Sequence, residues 1–256
     1  MTDLAIIKIG TSLLTNPDGT LKISFLGRIV EEISAVHAKG WGIVLVSSGA
    51  MASGTGLLRN KPHDIVERSL FACVGQPLLM KYYADFFGIA GITVAQTLLT
   101  RRDFEHPESS ELLKKNMERM IHNHIIPIAN ENDLIAIEEL TVGDNDQLSA
   151  RIAVLLGAEK LVILSDVDGL YSANPQTNPH AKKLEVVKCI TEDIEACVGE
   201  KISKNSLGGM QSKLSAAKYA TQNGVETIIF SGAEDRGALS KILLENERIG
   251  TQFLAQ

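Results

Sequence analysis

One pattern constrains this chain more than any other. Short apolar runs recur along it: LAIIKIG at 4–10, GIVLVSSGA at 42–50, ITVAQTLLT at 92–100, IIPIANENDLI at 125–135, LVILS at 161–165 and ETIIFSG at 226–232. Runs that lack apolar–polar alternation predict strands buried on both faces, as in parallel sheets. Between them lie stretches with helical spacing, such as 24–39 with Ile29, Ile33 and Val36 on one face, 108–122 and 210–222. Alternating strands and helices predict right-handed βαβ units. The expected fold is α/β around a largely parallel sheet. At 256 residues the chain can form one large domain or two tightly joined lobes.

The segment from Val142 to Tyr171 organises the rest. It opens with a turn carrying Asp144, Asn145 and Asp146. A helix follows, marked by Leu148, Ile152, Leu155 and Leu156, and Gly157 is placed to end it. The buried strand 161–165 then delivers Asp166, Asp168 and Gly169 to its carboxyl end. In open α/β sheets ligands sit at that edge.

Other segments are read as follows. Residues 65–87 are largely helical, with a break or an N1 proline expected at Gly75-Gln76-Pro77. Residues 191–198 suggest a short helix. Tyr171 to His180, with two prolines and two asparagines, reads as a surface loop and a candidate nucleotide-side flap. Lys201 to Gly209 reads as a mobile polar loop, and RIGTQFLA near the C-terminus as an edge strand.

The formal net charge of −6 disfavours a dedicated nucleic-acid binder, which would show a basic face. No apolar run is long enough to predict a membrane span, and the N-terminus does not read as a signal peptide. Cys73, Cys189 and Cys197 lack metal-ligand spacing and read as reduced thiols of a cytosolic protein. No GxxxxGK[ST] loop is present, and Gly54-Thr55-Gly56 lacks the third glycine of a dinucleotide fingerprint. A P-loop NTPase and an NAD-linked oxidoreductase are therefore disfavoured.

Small-residue loops at strand ends, two isolated lysines and several carboxylates remain. Phosphoryl transfer fits this inventory, because it needs positioning and charge neutralisation more than covalent help. Lys8 ends a buried strand beside Gly10, Thr11 and Ser12, whose N–H groups would hold an anion; an edge or snorkelling lysine is the alternative. Lys213 follows the helix start at Gly208-Gly209-Met210. Asp146 would orient both lysines or help to hold Mg²⁺. A carboxylate acceptor would need no general base, being ionised at neutral pH. Asn132, Asp133 and Asn145 suit the ammonium and carboxylate of an amino acid. His122 and His124 flank a helix end and read as solvated.

Taken together, the chain resembles the amino-acid kinase family. The resemblance rests on KIGTSLL (8–14), VSSGA (46–50), VGQPLL (74–79), QTLLTRRD (96–103), PIANEND (127–133), VGDNDQLSA (142–150), SDVDGLYSANP (165–175) and GGMQSKLSAA (208–217). These stretches keep the family's order over nearly the whole chain. The resemblance implies a three-layer αβα sandwich, an amino-acid lobe at about 1–155 and a nucleotide lobe at about 156–256. It implies ATP-dependent phosphorylation of the γ-carboxylate of L-glutamate for proline synthesis, with Mg²⁺, in a cytoplasmic homo-oligomer. Lys8 and Lys213 would stabilise the transferring phosphoryl group and Asp146 would organise them. Ser48, Gly49, Ala50, Asn132, Asp133 and Asn145 would bind glutamate. Gly10, Thr11, Ser165, Asp166, Leu207, Gly208, Gly209 and Met210 would join the lysines at the nucleotide. Leu207 offers phosphate no side-chain hydroxyl, so backbone donors are expected there. L-Proline would act as a feedback inhibitor overlapping the glutamate pocket. The RNA-binding type of module that follows the kinase domain in many relatives has no counterpart expected in this sequence. The alternatives are a family member acting on aspartate, N-acetylglutamate, carbamate or UMP, and a non-catalytic sensor of amino acid and nucleotide.

Overall fold

A computed structural model describes residues 3–135, 145–175, 177–198, 209–233 and 236–256. The first part of the chain forms β1 (Leu4–Ile9), α1 (Thr11–Leu14), α2 (Ile23–His37), β2 (Gly42–Ser47), α3 (Ala50–Leu58), α4 (Ile65–Ile89), β3 (Val94–Leu99), α5 (Arg102–Glu105), α6 (Pro107–His122) and β4 (Ile126–Glu131). Then come α7 (Asn145–Leu156), β5 (Lys160–Ser165), β6 (Leu170–Tyr171), β7 (Lys183–Leu184), β8 (Val186–Val187), α8 (Glu192–Ala196), α9 (Met210–Gln222), β9 (Glu226–Ser231), α10 (Ala238–Leu244) and β10 (Thr251–Phe253).

Among the described residues, one eight-stranded sheet runs β3-β4-β2-β1-β5-β9-β10-β8, and β6 pairs with β7 apart from it. Within the large sheet only β9 and β10 pair antiparallel. Side chains alternate between the faces of a strand. Ala5, Ile7 and Ile9 of β1 join the core under α2, α4 and α10, with Ile29, Leu79 and Leu239. Ile6 joins the opposite core, under α7 and α9, with Ile152, Ala153, Leu214 and Ala217. Helices thus cover both faces, as a three-layer αβα sandwich requires. The same alternation gives Lys8 the face of Ile6. Parallel pairing also brings the ends of β1, β2, β4 and β5 to one edge.

The structure corrects several expectations. Helix α4 runs unbroken through Pro77. Proline removes a donor and crowds the preceding turn, but Phe71, Ala72, Leu79, Tyr83 and Phe87 are buried on either side of it, and that burial holds the helix together. Gly75 has another purpose. A Cβ there would lie 2.0 Å from Ala50 O, and one on Gly54 would lie 1.9 Å from Phe71 O. The backbones of α3 and α4 therefore touch, and only glycine fits at the crossing. Helix α3 itself was not anticipated, because AMASGTGLL is small-residue rich and carries no apolar stripe; α10 was likewise unanticipated. Thr11 and Ser12 start the one-turn helix α1 instead of a loop. Strand β10 lies inside the sheet, since the two-residue β8 covers its outer side; so short an edge strand offers little for another chain to pair with. Positions 142–144 and 201–208 lie outside the described residues.

Candidate active site

Three charged side chains meet in the layer between the sheet and the α7/α9 pair. Lys8 Nζ forms an ion pair with Asp146 Oδ1, and Lys213 Nζ lies 3.3 Å from Asp146 Oδ2. Their residues are 3%, 0% and 5% exposed for Lys8, Asp146 and Lys213. Lys8 is thus neither an edge nor a snorkelling lysine: β1 lies between β2 and β5. Asp146 sits in the first turn of α7, where the helix dipole favours a carboxylate. Lys213 sits near the start of α9, where that dipole disfavours a cation, so its partner and not its helix accounts for its place. Buried charges are tolerated when paired. Two ammonium groups around one carboxylate leave these three side chains with a formal excess of positive charge, which suits a phosphoryl group.

A polar chain adjoins this cluster. Asn145, next to Asp146, aims Nδ2 at Ser48 Oγ (3.0 Å), Ser47 O (3.2 Å) and Asn130 Oδ1 (3.0 Å). Asn130 Nδ2 donates to Gln76 Oε1 at 3.0 Å, and Asn130 Oδ1 also accepts from Glu131 N at 2.9 Å. Ser47 Oγ donates to Ser48 O at 2.7 Å, so Tyr83 O–H is left to donate to Ser47 Oγ at 2.6 Å. Burial pushes the Tyr83 phenol up, so it remains a neutral donor. Gln76, Asn130, Ser47 and Tyr83 were not singled out from sequence as site residues. A period-2 reading of β2 would have aimed Ser47 with Leu45 toward the α4 layer.

Asp133 is half-buried beyond the end of β4, and its carbonyl accepts from Ser69 Oγ of α4. Burial raises its carboxyl from 3.8 to about 6. Asn132, also half-buried, donates its N–H to Leu99 O at 2.9 Å. Gly49 caps α3 with φ +105, a backbone that favours glycine. Its carbonyl accepts from Ser53 N and Ser53 Oγ, each at 2.9 Å. Ala50 is buried against Gly75, so packing accounts for both small residues.

On the nucleotide side the Gly10 N–H donates to Leu164 O at 3.0 Å, tying β1 to β5, so that N–H is already engaged within the sheet. Thr11, exposed, opens α1. Ser165 is buried and donates from Oγ to exposed Asp166 Oδ1 at 3.1 Å. Gly209 caps α9 and Met210 begins it, half-buried. Leu207 and Gly208 lie outside the described residues.

This geometry can be set beside known proteins. Residues 3–231 match the family model described as the amino acid kinase family. The chain belongs to the amino acid kinase family. This kinase is 44% identical to a protein named glutamate 5-kinase from Streptococcus suis, over 100% of the chain and 72% of that protein. It is 42% identical to one of the same name from Clostridium perfringens, over 98% of the chain and 95% of that protein. Among solved structures, UMP kinase from Ureaplasma parvum shares its fold, with a TM-score of 0.64 at 13% identity and 99% of each chain covered. A polar strand-end edge, two paired lysines and an adjacent amide–hydroxyl cluster equip the kinase to hold a phosphate donor against a small polar acceptor.

Proposed function

We propose that this amino acid kinase transfers the γ-phosphoryl group of ATP to the γ-carboxylate of L-glutamate, giving L-glutamyl 5-phosphate for proline biosynthesis. The observation that carries this reading is the buried Lys8–Asp146–Lys213 cluster. The substrate is supported by the relatives named glutamate 5-kinase at 40–44% identity along the whole chain.

In the proposed mechanism Lys8 and Lys213 neutralise charge on the transferring phosphoryl group, and Asp146 holds both ammonium groups in position. The N-terminus of α9, capped by Gly209, adds a dipole and backbone donors toward the phosphates. The attacking γ-carboxylate is already ionised, so no base is required. Asp133 and Asn145 receive the substrate ammonium, and Ser48 and Asn132 complete the pocket. Ser165 and Asp166 line the nucleotide site. Mg²⁺ supplies further neutralisation when bound. Among the described residues no group of three His, Cys, Asp or Glu side chains is placed to hold a metal.

The same reading divides the chain into an amino-acid lobe (about 1–155) and a nucleotide lobe (about 156–256) in a cytoplasmic protein. L-Proline would compete with glutamate for the Asp133 and Asn145 groups. A homo-oligomer belongs to the same reading. No helix among the described residues is long and apolar enough to cross a membrane.

The test is ADP release from Mg²⁺–ATP with L-glutamate, L-aspartate, N-acetyl-L-glutamate or no acceptor, with hydroxylamine trapping. Glutamate-dependent release with a γ-hydroxamate is expected. Faster turnover of N-acetylglutamate or aspartate would reassign the pocket.

A further inference from the structure

Gln76 lies in the middle of α4, 6% exposed, and has no place in the mechanism above. Its hydrogen bonding can be worked out from a group whose role is fixed. The backbone N–H of Glu131 only donates, so it requires Asn130 Oδ1 where it stands. Asn130 Nδ2 must then donate, and the acceptor it meets is Gln76 Oε1, at 3.0 Å. Asn130 is itself 4% exposed, so water is a poor substitute for that acceptor. With Asn130 held, its Oδ1 faces Asn145 Nδ2, which is also drawn to Ser47 O, another pure acceptor. The Asn145 amide is left with one orientation, in which Oδ1 is turned away from these partners. That Oδ1 is buried with no hydrogen-bond partner. It is an acceptor beside the phosphoryl cluster that awaits a donor. An amino-acid ammonium is the donor this substrate class brings.

We propose that Gln76 is a positioning residue for substrate specificity: through Asn130 it fixes the Asn145 amide with its oxygen presented to the α-ammonium of the acceptor. Gln76 acts without touching substrate. The proposal rests on the glutamate-kinase reading and names a determinant of that site. It also accounts for the course of α4. The contact of Gly75 with Ala50 O and Gly54 N sets the depth of the helix at the residue before Gln76. Close approach of the two backbones delivers the Gln76 amide to the end of β4.

The test compares Gln76→Met, which keeps the length and removes the amide, with Gln76→Glu, which keeps an acceptor oxygen. Each is assayed with L-glutamate and with glutarate, which has both carboxylates and no ammonium. For Gln76→Met the expected result is a KM for glutamate raised about tenfold, the scale of one lost hydrogen bond. The KM for ATP should be unchanged and kcat should stay within about threefold of wild type. Gln76→Glu should recover most of the loss. With glutarate, kcat/KM read from the linear regime should be the same for wild type and Gln76→Met. Equal losses on glutamate and glutarate would overturn the proposal and leave Gln76 a packing residue, as would a loss confined to kcat. Should Gln76→Met fail to fold, Gln76→Leu takes its place in the same comparison: a loss on glutamate alone supports the proposal, and equal losses on glutamate and glutarate overturn it. A wild-type protein idle with glutamate but active on another acceptor would instead overturn the parent reading.

Discussion

Asp146 is the residue on which the site depends. It is fully buried and serves two lysines, one from a central strand and one from a helix start. Asp146→Asn should lower kcat by about 10²–10³, the scale of losing one preorganised electrostatic group. It should also lower stability by about 3–5 kcal/mol in urea unfolding, because two buried ammonium groups lose their shared partner. Lys213→Ala should reduce turnover more than ATP affinity, measured by single-turnover kinetics beside calorimetric ATP binding. Asp133 gives a pH prediction. Its carboxyl sits at about 6, raised by burial, so the free protein carries it neutral below that pH. Glutamate kcat/KM should therefore fall as pH drops through about 6, and Asp133→Asn should erase that limb while weakening binding at pH 8. The stability sign is the reverse. A carboxyl raised in the fold stabilises most below its unfolded value of 3.8, and that contribution is lost as pH rises through about 6. Asp133→Asn should match wild type near pH 4 and exceed it by about 1–2 kcal/mol at pH 8, after solvent screening. Equal stability at both pH values in chemical denaturation would contradict the burial argument.

At the scale of elements, the crossing of α3 and α4 couples packing to the pocket. Helix α3 starts directly after Ser48 and Gly49, and α4 carries Gln76 and Tyr83. A methyl group at Gly54 or Gly75 would meet backbone atoms near 2 Å, which no rotamer relieves. Gly75→Ala should cost about 3 kcal/mol in thermal or urea unfolding and raise the KM for glutamate, with ATP binding less affected. Strands and long helices were legible because each leaves a local apolar signal: β5 holds the continuous apolar run 161–164, and α2 carries a stripe at helical spacing. Helix α3 was not, because its contacts are made by backbone against backbone and leave no apolar period. The break expected at Pro77 failed for a related reason: local propensity disfavours a helix there, and burial on both sides overrides it.

For the whole molecule, strand order decides what sequence could only suggest. Lys8, Asp146 and Lys213 are separated by more than a hundred and by more than sixty positions, yet β1 and β5 are neighbours and α7 packs beside α9 on the same face. Residue types and strand-end positions revealed the cluster's members. Ser48 and Asn145 were named from the sequence, but their link through Asn130 to Gln76 was hidden, since it depends on how far α4 sits from β4 and not on any spacing within one segment. In the proposed reaction a substrate carboxylate oxygen attacks phosphorus at this cluster. The most direct test supplies L-glutamate labelled with ¹⁸O in the γ-carboxylate, together with Mg²⁺–ATP and hydroxylamine, and reads the released phosphate by ³¹P NMR. Attack by the carboxylate makes its oxygen the bridge of the acyl phosphate. Hydroxylamine then breaks the C–O bond and leaves that oxygen on phosphorus. Phosphate carrying one ¹⁸O per turnover is the predicted result. Phosphate without label, formed at the rate of ADP release, would mean that water is the acceptor and would rule out attack by the carboxylate.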